Sequence, residues 1–590
     1  MRALGYRTVD ALVDWLADDA RPPIRHATPA ELAERIRSSS RDSFDAALAT
    51  LFDDVIPYTS RGGHPGFFAY VPFAGTWPGA LGDFVASACN VYAGSWQEGA
   101  GPTQLELEVL DWFKEWIGYP QTAAGSLLSG GSAANLTAIA CAREARVGAM
   151  RDDLVIYASD QAHSSIGRAA RILGFRPDQM RVLPVDDHQR LEPQTLTAAI
   201  AADEAAGRLP FLLAANAGAT STGAVDPIAE LASLCRERNV WLHTDAAYGG
   251  FAVLTERGRA QLGEIGLSDS ITLDPHKWLY QPYECGCLLV REGGTLRSAF
   301  EVHSDYLRDA EADHGIVNFS DYGLQLSRTS RAFKVWLSFG AFGVDAFREA
   351  IDRTLDLAEL ARARIDASDK LELAAPPSLG VVCFRRRDGD DDLTDGLVAA
   401  LEESGLGLIS STRVAGSPVL RMCILGHATR AGDIERVLEF LETAAPAAGA
   451  PAYERDRQVP ATVSLFARLA ADEAASFAAL AVARTVVAGE PIVERWDTTR
   501  DFFVVEAGLA DVVVDGVAVM TLRPGDYFGE IAALEWGAGF ARSRAATVVA
   551  REDVRLHVLE PGALAQFLHA FPRVEDELRR TAHERLRRAR

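Results

Sequence analysis

The first 60 or so residues carry apolar positions at helical spacing. Val9, Leu12, Val13 and Leu16 recur three and four apart, as do Leu32 and Ile36, with an Arg-Pro-Pro break at 21–23. This predicts a helical N-terminal segment over residues 1–65. From about 100 to 300 the pattern changes to short apolar runs separated by helix-length stretches. The runs are Leu154–Ala158, Phe211–Ala215, Val240–His243, Ser270–Leu273 and Gly286–Val290. Strands that alternate with helices predict a mostly parallel sheet covered by helices, an α/β domain over 66–340. Residues 341–445 read as helix, strands near Gly380–Arg385 and Val419–Ile424, then helix, which predicts a smaller α/β lobe. A Pro/Ala-rich stretch at Ala444–Arg457 predicts a linker over 446–462. Beyond it, short strands with turn signals at Gly489, Gly508, Asp515-Gly516 and Pro524-Gly525 predict a small all-β barrel or jelly roll over 463–590, ending in an arginine-rich helix.

Composition narrows the function classes. The 590 residues are 48% hydrophobic and 24% charged, with a net charge of −23. That describes a globular chain, and its acidity argues against nucleic acid as a partner. No apolar stretch approaches the roughly 20 residues of a spanning helix, so no membrane partner is expected. Asp10, Asp14, Asp18 and Asp19 make the first residues unlike a signal peptide. Seven scattered cysteines favour reduced thiols and a cytoplasmic setting. Cys285-Gly-Cys287 reads as buried small residues, and no metal site is expected.

Only four of the 59 basic residues are lysines. Lys114 sits in an acidic helical segment and reads as a solvated face. Lys370 lies in a polar loop, and Lys334 at a basic-apolar helix start. Lys277 alone directly follows an apolar strand, where open α/β sheets bind ligands. Burial there would lower its pKa and favour the nucleophilic neutral amine. Ser129-Gly-Gly-Ser132-Ala-Ala-Asn135 enters the helix Leu136–Ala145, which suits either a bound phosphate or a simple helix cap. Asp245, at the end of another strand, is either a holder of a pyridine nitrogen or an ordinary turn acid. A phosphate cradle, an acid and a lysine together are what pyridoxal phosphate needs.

These segments resemble the group II pyridoxal-phosphate decarboxylases, the family of aromatic L-amino-acid decarboxylase, over about residues 1–445. The resemblance is carried by His64-Pro-Gly-Phe-Phe-Ala-Tyr, Ser129-Gly-Gly-Ser-Ala-Ala-Asn-Leu, Asp160-Gln-Ala-His163-Ser-Ser, Gly218-Ala-Thr220, His243-Thr-Asp245-Ala-Ala-Tyr and Asp274-Pro-His276-Lys277-Trp, in the family's order. It implies a fold-type I enzyme with a seven-stranded sheet, a homodimer, and decarboxylation of an amino acid. Lys277 would hold the cofactor covalently, Asp245 would pair with its ring nitrogen, and His163 would stack on the ring. Thr220 and Ala247 would lie beside the ring, with Gly131, Ser132 and His276 around the phosphate. Asn135 and His243 are possible further contacts. Asp274 stands where some relatives have asparagine. Tyr306, on a polar loop of about 302–322, matches the tyrosine that returns a proton to the α-carbon. Tyr306 and His163 together imply simple decarboxylation; the alternative is an aldehyde synthase on the same scaffold. Val71, Pro72 and Phe73, with Trp77 and Trp96, match the side-chain pocket, and its apolar character points first to an aromatic substrate; diaminobutyrate, glutamate and aliphatic amino acids are the alternatives that the wider family offers.

From Leu465 onward the chain resembles a cyclic-nucleotide-binding domain, on Gly525-Asp-Tyr-Phe528-Gly529-Glu530-Ile-Ala532 and Arg544-Ala545-Ala546-Thr547. The resemblance implies that Gly529 and Arg544 hold a cyclic phosphate and that Glu530 takes a ribose hydroxyl. Ala545, in place of a hydroxyl residue, implies cyclic AMP. The other readings are a degenerate module that only packs, or a signalling protein whose nucleotide module matters more than its enzyme half.

Overall fold

The apolar runs form the centre of a seven-stranded sheet in the computed structural model of the chain. It describes residues 1–18, 21–27, 29–39, 42–301, 316–387, 389, 391–445, 471–494, 501–514, 517–530, 546–571, 573–575 and 578. The strands are β1 (Ala124–Leu128), β2 (Leu154–Ser159), β3 (Met180–Leu183), β4 (Leu209–Asn216), β5 (Trp241–Asp245), β6 (Ser270–Leu273) and β7 (Gly286–Val290), in the order β1-β7-β6-β5-β4-β2-β3. β3, β2, β4, β5 and β6 pair in parallel. β7 runs antiparallel to both β6 and β1.

The lack of polar alternation has a direct structural cause. Every residue of β2, β5, β6 and β7 is buried, because helices cover both faces. Successive residues supply opposite layers: Val155, Tyr157 and Leu213 join one core, Ile156, Ala158 and Leu212 the other. Cys285 and Cys287 are fully buried free thiols among these residues.

The N-terminal segment forms α1 (Arg2–Ala17), α2 (Pro29–Ser38) and α3 (Phe44–Thr50), and α4 (Trp77–Ala88) and α5 (Trp96–Ile117) follow it. The smaller lobe packs the long helix Ala332–Asp366 and two further helices on an antiparallel sheet. That sheet contains β8 (Leu371–Leu373), β9 (Val381–Arg386), β10 (Ser410–Val414) and β11 (Ser417–Cys423), ordered β10-β11-β9-β8. The C-terminal module has two four-stranded antiparallel sheets, with apolar clusters around Phe502 and Phe567 and around Phe503 and Phe528. Gly489, Gly508 and Gly525 have φ of 86°, 88° and 92°, the left-handed turn conformations that favour glycine. Asp515-Gly516 and the arginine-rich end lie outside the described residues. Among those described, no helix is long and apolar enough to cross a membrane.

One expectation fails here. Lys114 is not on a solvated face; it is 8% exposed. Its Nζ reaches Asp111 at 2.6 Å and donates to the Ala123 carbonyl at 3.2 Å. The long aliphatic stem lets the amine satisfy these partners while the chain packs inside.

Candidate active site

Strand β1 ends at Leu128, and Ser129-Gly130-Gly131 turns the chain into α6 (Gly131–Arg146). The turn is tight on both sides. Gly130 has φ of 152°, and a Cβ on Gly286 of β7 would fall 2.4 Å from the Gly130 Cα. Gly131 is confined too, since its Cβ would lie 2.9 Å from Asp274 Oδ2 and 3.1 Å from the Ala247 Cβ. Ser129, Gly130, Gly131 and Ser132 face a cavity of about 290 Å³. The N-terminus of α6 opens there, so its amides and partial positive charge favour an anion.

The floor of the cavity comes from aligned strand ends. Asn216 of β4 pairs with Asp245 of β5, and Asp245 with Thr272 of β6. Asp245 accepts from the Ala247 N–H at 3.1 Å and from Asn135 Nδ2 at 2.8 Å. Asn135 Oδ1 in turn receives His243 Nε2 at 3.0 Å. Burial lowers the His243 pKa to about 4, so this imidazole is neutral near pH 7. His163 caps the helix α7 (Ser164–Ile172), with Nδ1 accepting from the Ser165 N–H at 3.2 Å. Its ring borders the cavity, and the surrounding protein pulls its pKa below the ordinary imidazole value, against the attraction of Asp245.

Lys277 follows β6 and points its Nζ at Asp274 Oδ2, 2.9 Å away. Burial alone would depress its pKa, as its position after the strand suggests. The adjacent Asp274 charge and hydrogen bond, with Asp245 beyond, outweigh that and raise it. In this state the lysine is an ammonium ion, and the expected lowering is corrected. Asp274 is 1% exposed, and its Oδ1 has no hydrogen-bond partner. His276 Nδ1 accepts from the Cys285 N–H at 3.0 Å, which leaves its other nitrogen toward Asp274 at 3.6 Å. Burial lowers its pKa to about 4.

Gly131, Ser132, His163, Thr220, Asp245, Ala247, His276 and Lys277 therefore border one cavity. Val71, Pro72, Phe73, Trp77 and Trp96 do not line it. The Phe73 ring centroid lies 4.9 Å from that of Tyr283, which lies 4.6 Å from His276. Tyr306 is outside the described residues, as are Arg544 and Ala545. Gly529 has φ of 92°, and Glu530 is 2% exposed. Sequence reasoning missed Arg421 of β11, which is 3% exposed and donates to the Thr220 carbonyl at 2.6 and 3.0 Å. The available signal was a cation inside the apolar run Val419–Ile424. It also missed Tyr283.

These groups fit pyridoxal phosphate. The glycine turn leaves room for a phosphate on helix amides, a strand-end carboxylate can meet a ring nitrogen, and the orphaned Asp274 oxygen shows an unmet polar demand in the cavity wall.

Known proteins match accordingly. Residues 30–387 match the pyridoxal-dependent decarboxylase conserved domain, and 483–571 the cyclic nucleotide-binding domain. The chain is 38% identical over 451 residues to an aromatic-L-amino-acid decarboxylase of Bacillus atrophaeus, covering 74% of this chain and 94% of that protein. Among solved structures, an Oryza sativa TDC with PLP and tryptamine superposes with a TM-score of 0.71 at 28% identity, over 75% of this chain and 96% of that one. A 4-hydroxyphenylacetaldehyde synthase of Rhodiola rosea gives a TM-score of 0.69 at 26% identity, over 74% and 96%. The chain thus belongs to the pyridoxal-dependent decarboxylase family, as an amino-acid decarboxylase that depends on pyridoxal phosphate and carries a cyclic nucleotide-binding domain.

Proposed function

We propose that this enzyme decarboxylates an aromatic L-amino acid to its amine and carbon dioxide. The observation that supports the reading most is the convergence of Lys277, Asp274, Asp245 and His163 on one cavity at the strand ends. Bound there, pyridoxal phosphate supplies the sink for the electron pair freed by departing carbon dioxide. Lys277 offers its Nζ for covalent attachment. Asp245 holds a proton on the ring nitrogen, and His163 packs on the ring. Gly131, Ser132 and His276 bind the phosphate, and Thr220 and Ala247 border the ring. Tyr306 returns a proton to the α-carbon, a role that rests on the resemblance alone. Val71, Pro72, Phe73, Trp77 and Trp96 form the side-chain pocket on the same ground, supported by the approach of Phe73 to Tyr283 and His276.

The enzyme acts as a homodimer. Phe84 and Val85 on the helix Trp77–Ala88, and Trp336 on the long helix, are exposed at 61%, 41% and 42%, an apolar surface that supports a partner subunit. Six of its seven free cysteines are buried, which supports a reducing, cytoplasmic setting. The proposed domain limits are 1–65, 66–340, 341–445 and 463–590, with a linker between the last two; the helix Ala332–Asp366 crosses the limit at 340, close to its break at Gly343. The C-terminal module binds cyclic AMP through Gly529, Glu530, Arg544 and Ala545 and modulates the decarboxylase. Modulation requires that the nucleotide bind two states of the enzyme with different affinity.

A panel of L-amino acids assayed for carbon dioxide and amine, with and without cyclic AMP, tests the reaction, the substrate class and the modulation. Amine from an aromatic substrate is expected. Stoichiometric hydrogen peroxide and aldehyde without amine would replace decarboxylation by aldehyde synthesis, the activity named for the Rhodiola rosea structure.

A further inference from the structure

Asn135 lies in the first turns of α6, 1% exposed, and uses all four hydrogen-bonding positions of its amide. Nδ2 donates to Asp245 Oδ2 and to Ser165 Oγ, each at 2.8 Å. Oδ1 accepts from Thr272 Oγ1 at 2.6 Å and from His243 Nε2 at 3.0 Å. The reverse orientation of the amide would set two acceptors, Oδ1 and the Asp245 carboxylate, against each other. Asp245 therefore fixes which way the amide faces.

Proton positions follow outward from it. His243 carries its hydrogen on Nε2, and its Nδ1 accepts from Ser270 Oγ at 2.9 Å. Ser270 Oγ in turn accepts the Trp241 indole N–H at 2.9 Å. On the other side, Ser165 Oγ has accepted from Asn135, so its own proton goes to His163 Nδ1 at 2.8 Å. The Ser165 backbone N–H faces the same nitrogen at 3.2 Å. Nδ1 is thus bare, and Nε2 is the only N–H of this imidazole.

We propose that Asn135 is a positioning residue: it joins Asp245 and His163 into one hydrogen-bonded unit and fixes His163 in the Nε2–H form. The inference rests on the reading of Asp245 and His163 as the two groups that meet the cofactor. Asn135 acts through them, as an outer partner that orients inner ligands. A residue that merely filled the core would affect melting alone.

The test uses the full-length protein, stripped of cofactor and reloaded with pyridoxal phosphate. Asn135→Leu removes the amide at similar size, Asn135→Asp replaces its donor by a second carboxylate, and Ser165→Ala cuts the link to His163. Four quantities are read: melting of the cofactor-free protein, affinity for pyridoxal phosphate by tryptophan quenching, the pH dependence of the bound cofactor's visible absorption, and kcat against KM. Both Asn135 variants are expected to bind the cofactor about 10–100-fold more weakly, the usual loss for an outer partner. Asn135→Asp should move the absorption midpoint furthest, since two carboxylates so close must share a proton. Ser165→Ala should move it in the same direction as Asn135→Leu, with kcat falling and KM held. The double variant Asn135→Leu/Ser165→Ala should show less than the sum of the single effects. Folded Asn135 variants with affinity and spectrum within about twofold of the parent protein would overturn the inference. A silent Ser165→Ala would do so as well, and it decides alone if neither Asn135 variant folds. A parent protein that binds no pyridoxal phosphate would instead remove the functional reading beneath.

Discussion

Between residues 66 and 445 the chain takes charges into its interior, whereas the described residues beyond 471 keep nearly all of theirs at the surface. Arg328 and Glu106 are 1% and 0% exposed and bond at 2.7 and 3.0 Å. Arg328 also donates to the Ala93 and Leu127 carbonyls, while Glu106 accepts the Leu127 N–H. That pair ties the segment after residue 316 to β1, the strand that leads into the glycine turn. Lys334, 2% exposed, holds the carbonyls of Pro282 and Glu284 on either side of Tyr283, and pairs with Asp83 at 2.8 Å. In the C-terminal module the described buried charges are Glu473, paired with the half-exposed Arg573, and Glu530. Its core is otherwise apolar, with Phe503 stacked on Phe528 at 4.8 Å. A buried charge is costly unless fully paired. The decarboxylase half keeps such groups where they set the position of a cavity wall. In the other half Glu530 is buried as deeply, at 2% exposure.

The sharpest break of this comparison is Lys277→Ala. Decarboxylation should fall on the order of 10⁶-fold, as for loss of another covalent nucleophile, and the cyclic AMP binding proposed above should persist. In the parent protein, borohydride should fix the cofactor to one peptide, the one holding Asp274-Pro-His-Lys277-Trp. Next, Glu106→Gln strands Arg328 in the interior and should cost the decarboxylase half about 3–5 kcal/mol in urea unfolding.

Acid should act on the same half. His243 and His276 shift from 6.5 to about 4, so the unfolded chain binds more protons between those values. Their contribution is complete above pH 6.5 and is lost as pH falls toward 4. Asp226, raised from 3.8 to about 6 by burial, opposes them over nearly the same range. Burial also lowers the pKa of His163 and His427, which add to the two histidines, and raises that of Asp83 and Asp269, which add to Asp226. Four imidazoles outweigh three carboxyls, so the melting temperature of that half should drop between pH 6.5 and 4. A smaller effect is expected of Glu530→Gln, which should weaken cyclic AMP about tenfold by calorimetry, the loss of roughly one hydrogen bond. Smallest, Glu473→Gln should change stability by about 0–1 kcal/mol, because the Arg573 it releases is exposed to water.

How legible these regions are from sequence depends on what surrounds each residue. Ser270–Leu273 and Gly286–Val290 are read at their observed limits because continuous burial requires continuous apolar side chains. β1 is missed because Ala124 and Gly125 give it little apolar signal. β3 is missed because four residues containing Arg181 show no period. The cofactor-facing residues come from motifs, each compact in sequence, that the strand ends bring together. Arg421 escapes because a cation held largely by backbone carbonyls leaves no charge pattern to read, and Lys114 because its pair with Asp111, three residues away, reads the same on a buried face as on a solvated one. Tyr283 escapes because its neighbours, Phe73 and His276, belong to segments far apart or reached only by folding.

The fate of the four lysines also makes the protein a ready substrate for single-site conjugation. Lys114 and Lys334 are buried in ion pairs, and Lys277 sits at the cavity wall with its ammonium held by Asp274. Lys370 alone is exposed. An amine-reactive dye or resin therefore meets one side-chain handle per chain, on the smaller lobe, just ahead of β8. With the exposed Met1 amine blocked, the decarboxylase can be tethered or tagged there at fixed orientation while its own reactive amine stays shielded.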